Sequence, residues 1–146
     1  MIHTISRPSL RPQKRASRTL SKAVSLHLEG KLESAARMLS KAIEGGEHEP
    51  GLYSALGHIH FEMRDYEAAA TVYGQLVELE PLHRTGHFNL GVCQGHLRNW
   101  QAAAESFRNA TEADGTRSTQ LVVFVGIDRI IFHLTRFARL LGEHSG

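Results

Sequence analysis

A single cysteine, Cys93, is the only thiol in this chain of 146 residues. With no second cysteine an internal disulfide cannot form. That excludes a disulfide-stapled miniprotein and makes a reducing, cytoplasmic location the expectation. Aromatic residues make up only 7% and prolines number four, while 41% hydrophobic and 22% charged residues are ordinary for a globular chain. Neither a collagen-like nor a wholly disordered chain fits those values. Long apolar runs are missing too. The longest, Leu121 to Leu134, is broken by Asp128, Arg129 and His133, so no transmembrane segment is expected. The first residues lack the apolar stretch of a secretory signal.

Acidic residues are absent from the first 28 positions, where Arg7, Arg11, Lys14, Arg15, Arg18 and Lys22 give a charge of +6. Residues 29–115 carry −6 and residues 116–146 carry +2, so the bland net charge of +2 sums three unlike parts. Residues 1–15, with Pro8, Pro12 and several serines, read as a disordered basic leader. A solvated tail is the plain interpretation. A transit peptide, or an arm for nucleic acid or an anionic membrane, are the others. No aromatic lies among the first 28 residues, so base stacking there is unsupported.

What the chain does have is a period. Leu56-Gly57 returns as Leu90-Gly91, and in the same register Tyr66 matches Trp100, Ala69 matches Ala103 and Tyr73 matches Phe107. A weaker copy lies one step back at Ala23, Leu32, Ala35, Leu39 and Ala42. Within the middle unit, Tyr53, Leu56, Gly57 and His60 share one helical face, and Tyr66, Ala69, Ala70, Tyr73, Leu76 and Val77 form a second stripe after a break at Arg64-Asp65. A mid-helix glycine costs about 1 kcal/mol against alanine. Its recurrence predicts close approach of two backbones at Gly57 and Ala69, with Tyr66 and Tyr73 filling the flanking space.

These residues resemble the tetratricopeptide repeat family, whose pattern is a large residue, Leu-Gly, an aromatic, a small residue, a second aromatic, an alanine and a closing proline. The middle unit, residues 50–83, supplies Tyr53, Leu56-Gly57, Tyr66, Ala69, Tyr73 and Pro81 and departs at His60 and Leu76. The third, residues 84–117, has His87, Gln94 and Gly115 in place of family residues, and the first, residues 16–49, is degenerate. The resemblance implies an all-α superhelix of three helix-turn-helix repeats. Residues 118–146 keep a helical stripe through Val123, Ile127, Ile130, Leu134, Phe137 and Leu141 and are expected to form a capping helix. A docking helix is the alternative.

In this family the first helices of the units line a concave groove that binds a peptide or helix. By register that groove would present Leu20, Val24 and His27, then Ser54, His58, Phe61 and Glu62, then Thr85, Phe88, Asn89, Val92 and His96. Relatives that grip chaperone C-terminal carboxylates need lysines and asparagines where this chain has Leu20, Val24, Ala55, Thr85 and Asn89, so that cationic clamp is missing. The resemblance therefore implies a non-enzymatic module that holds a hydrophobic peptide or helix of a protein partner. The alternatives are a self-assembling homo-oligomeric scaffold or, less well supported, a holder of hydrophobic segments similar to the secretion chaperones built on three such repeats.

Chemistry of its own is not expected. Cys93 aligns with Ile59 at a small buried position, which predicts an inert thiol. His58 and His60 point to different sides of a helix, and neither His83 with His87 nor Cys93 with His96 belongs to a His-Glu-x-x-His or Cys-x-x-Cys pattern, so no metal and no cofactor are expected. His60 and His87 stand at family packing positions and should be partly buried and satisfied. The acidic body opposes phosphate, so no nucleic acid is expected.

Overall fold

The computed structural model describes residues 12–113, with side chains from residue 18 onward. Six helices follow one another: α1 (Pro12–Leu28), α2 (Leu32–Glu44), α3 (Pro50–Glu62), α4 (Tyr66–Leu79), α5 (Arg84–His96) and α6 (Trp100–Ala113). Among the described residues there is no strand, and no helix is long and apolar enough to cross a membrane. Each helix packs on the next in sequence, and α1 also reaches α3. The result is an all-α stack of three helix pairs. Helix α1 includes residues 12–15, which the sequence assigns to the leader. The rest of the expected leader, and the expected capping helix at 118–146, lie outside the described residues.

The turn inside each pair is the same structure three times. Gly30, Arg64 and Arg98 all hold left-handed backbone, at φ 74°, 60° and 61°. The residue after each donates its amide five positions back in the Schellman pattern: Lys31 to the Leu26 carbonyl, Asp65 to the His60 carbonyl and Asn99 to the Gln94 carbonyl. Left-handed backbone costs a non-glycine residue roughly 1–2 kcal/mol. The two arginines hold it because the helices on either side fix the turn. The second helix of the middle unit then starts on a side-chain cap, with Asp65 accepting from the Ala68 amide at 3.1 Å.

The core runs through the units rather than inside each one. Ala23, Ala35, Leu39, Leu52, Leu56, Ile59, Ala69, Tyr73, Leu76 and Cys93 form one buried cluster. Gly57 is where the pairing of α3 and α4 is decided. A Cβ there would lie 2.7–2.9 Å from the Tyr73 ring, and one at Gly91 would lie 2.9–3.1 Å from the Phe107 ring. The recurring glycine predicts Tyr73 beside a Gly57–Ala69 approach. Instead the ring lies directly on the glycine. Tyr66 packs against Phe61 within its unit and also stacks on His96 of the next unit, with centroids 4.2 Å apart and planes at 5°.

Burial fixes the chemistry of two groups here. The Tyr73 hydroxyl is pushed up to about 12 by burial, helped by the neighbouring Cys93 and opposed by its hydrogen bond with Asn89. The Cys93 thiol, also buried, is pushed up to about 11, which disfavours its thiolate. Both groups are neutral in the fold and ionise more readily once unfolded, so they stabilise the native state fully only while the unfolded groups stay protonated. Stability is therefore expected to fall as pH rises from about 9, where an unfolded thiol ionises, to about 12. Urea midpoints measured across that range check this. Tyr73→Phe should flatten the part between about 10 and 12, and an unchanged slope would contradict the assignment.

Candidate functional site

The first helices of the pairs, α1, α3 and α5, carry all twelve residues that the register assigned to a groove. The structure separates them into three groups. Between α1 and α3 lies a small cleft of about 90 Å³, lined by Ala23, Val24, His27, Ala55, His58 and Ile59. Small side chains make it: Ala23 and Ala55 leave room that a leucine would fill. Ligand pockets for drug-sized molecules run to about 300–1,000 Å³, so the cleft suits an aliphatic side chain rather than a cofactor. Val24 on its rim is 48% exposed. Leu20 is partly covered, because α3 approaches at Gly51, where a Cβ would meet Leu20 Cδ2 at 3.6 Å.

One turn along the same two helices, three polar side chains meet. The Nε2 of His27 lies 2.7 Å from Glu62 Oε2, and the Nε2 of His58 lies 3.0 Å from Glu62 Oε1. The two imidazoles make an edge contact at 5.9 Å between centroids. The hydrogen bond from His27 is the main reason that the Glu62 carboxyl is held below the usual carboxylate value, with slight burial working the other way and both imidazoles adding attraction.

The third group sits where α3 and α4 meet α5. Phe61 was assigned to an open groove position, but it is half-buried and packs edge-on against Tyr66 at 5.3 Å and His96 at 5.5 Å. It ties the second unit to the third and offers only part of its ring outward. Phe88 is the more open aromatic, 51% exposed, with its ring 5.6 Å from Phe107. Asn89 is engaged with the Tyr73 hydroxyl and so belongs partly to the core. Ser54 and Val92 are half-buried and Thr85 is exposed.

The remaining histidines are mostly structural. His83 caps α5, its Nδ1 accepting from the Gly86 amide at 2.9 Å, and the buried His87 donates from Nε2 to the Pro81 carbonyl at 2.8 Å. The pair at 83 and 87 is thus committed to holding the start of α5. His60, expected to be satisfied, keeps a buried Nδ1 with no hydrogen-bond partner among the described residues. Sequence spacing pointed to no metal cluster, yet among the described residues His27, His58 and Glu62 place their ligand atoms within 4.8 Å of one another. Only the His58–Glu62 half of that group, one turn apart on α3, left a trace in the sequence. The cleft-lining alanines and Tyr66 were also missed as surface-forming residues.

Comparison with known proteins matches this geometry. A "Tetratricopeptide repeat" family profile covers residues 54–117. Mouse tetratricopeptide repeat protein 16 is 30% identical over 95 residues, which is 60% of this chain and 12% of that protein. The chain thus spans about an eighth of that relative's length. Among solved structures, the first repeat domain of Spaghetti bound to an HSP90 peptide superposes with a TM-score of 0.71 at 16% identity, covering 88% of this chain and 99% of that one. The Yersinia enterocolitica type III secretion chaperone SycD, in complex with a peptide of the translocator YopD, gives 0.71 at 16% identity, covering 90% and 98%. The class defined is an all-α helical repeat. Residues 54–117 belong to the tetratricopeptide repeat family.

Proposed function

We propose that the α1–α3–α5 face is a protein-binding surface that captures an apolar peptide segment or amphipathic helix of a partner protein, without catalysis. The observation that carries this is the pairing of an apolar cleft, small enough for one aliphatic side chain, with the half-exposed Val24 and Phe88 on the same series of helices. Helix-in-groove recognition needs such anchor pockets spaced along a groove. Both solved neighbours hold peptides, which supports the reading. A carboxylate-terminated chaperone peptide fits this chain poorly, since Leu20, Val24, Ala55, Thr85 and Asn89 bring no positive charge. A single buried thiol fits work in a reducing compartment such as the cytoplasm.

The test is fluorescence anisotropy with a panel of labelled amphipathic helical peptides, each paired with a scrambled version that spreads its apolar residues around the helix. Val24→Glu and Phe88→Ala should each weaken capture at least about tenfold, which corresponds to roughly 1.4 kcal/mol, while leaving thermal unfolding in place. Equal binding of the scrambled peptides, or unchanged affinity in both variants, would remove the groove from the account. Self-association is the second reading, favoured by the exposed Leu28 and Leu82. Sedimentation at several concentrations decides it, since a concentration-independent monomer excludes it.

A further inference from the structure

The polar end of the α1–α3 junction has a use of its own. We infer that His27, His58 and Glu62 form a binding site for a transition-type divalent cation, with zinc as the fitting ion. Two imidazole nitrogens and one carboxylate are the donor set that borderline ions such as zinc take, whereas calcium and magnesium prefer oxygen alone. Three protein ligands leave a fourth tetrahedral position open, the arrangement of zinc sites that bind a further group.

The geometry is assembled by the fold rather than by a local motif. His58 and Glu62 lie one turn apart on α3, and His27 comes from the last turn of α1. All three ligand atoms already lie within 4.8 Å of one another. Zinc holds nitrogen and oxygen ligands at about 2.0–2.2 Å, which sets neighbouring ligand atoms somewhat more than about 3 Å apart. The present separations of 2.7 and 3.0 Å are hydrogen-bond distances, so the ion replaces the shared protons after a small opening of the side chains. The side chains of His27, His58 and Glu62 are 30%, 59% and 36% exposed, which gives the ion a path in and lets the rotamers adjust.

Two consequences follow. Zinc would clamp α1 to α3, joining the degenerate first unit to the second. Because His27 and His58 also line the apolar cleft, the open coordination position would sit at the cleft edge, within reach of a carboxylate or imidazole brought by a bound segment. The site itself does not depend on what the groove binds.

The experiment is a zinc titration of the untagged full chain, freed of metal by a chelator, read by competition with a colorimetric zinc chelator and by thermal unfolding. The expected result is one zinc per chain and a zinc-dependent rise in unfolding temperature. His27→Ala and His58→Ala should each weaken binding by more than about tenfold, since even supporting groups around a metal site cost that much when lost. Glu62→Gln, a conservative exposed change, keeps the test valid should either histidine variant fold poorly, and should lower affinity likewise. Excess magnesium should leave zinc bound. Absence of saturable binding, or affinity unchanged in all three variants because other histidines hold the ion, would overturn the assignment.

Discussion

Tyr73→Ala is expected to lower the free energy of unfolding by about 3–5 kcal/mol, the range for truncating a large buried aromatic. The ring is buried and rests on the backbone of α3 at Gly57, while its hydroxyl reaches Asn89 on α5. It therefore holds three helices at once. Removing it leaves a cavity that α3 and α4 cannot close without moving the units on either side. Urea unfolding followed by far-ultraviolet circular dichroism measures the loss. Tyr73→Phe isolates the hydroxyl and should cost only about 0.5–1.5 kcal/mol. A loss below about 1 kcal/mol for the alanine variant would mean that the contact at Gly57 is not what positions the pair.

The second large effect comes from adding one carbon rather than removing several. Gly57→Ala puts a methyl 2.7 Å from the Tyr73 ring, closer than side chains approach. Helix propensity favours alanine by about 1 kcal/mol, but overpacking a filled core costs about 1–3 kcal/mol. The steric cost is expected to win because the ring has buried neighbours behind it. Gly74→Ala is the control. It lies inside α4, and a Cβ there meets nothing within 4 Å. That variant should gain up to about 1 kcal/mol. Opposite signs for two glycine-to-alanine changes would separate packing from propensity, and a gain at both would refute the close approach.

The helix pairs were legible because the residues that set them recur. A glycine and an aromatic at a fixed offset specify one contact, and Gly57 with Tyr73 and Gly91 with Phe107 both make it. The proposed groove was legible as a set of helix positions but not as a surface. Which way an aromatic near a turn leans depends on what the next unit presents, and His96 draws Tyr66 and Phe61 together across the junction. His27 and Glu62 were both assigned to the groove, yet nothing local ties together residues contributed by different units. Their meeting at 2.7 Å follows only from how α1 settles against α3.

The left-handed turn at residues 30, 64 and 98 bears on how such arrays are counted. The family profile starts at residue 54, after the first unit has ended, because that unit has lost the signature side chains. Its turn nevertheless keeps the same backbone hydrogen bonds as the other two, in step with them. Main-chain rhythm has outlasted side-chain resemblance. A census of repeats in this chain by the family profile would stop one short, whereas one taken on backbone handedness would not.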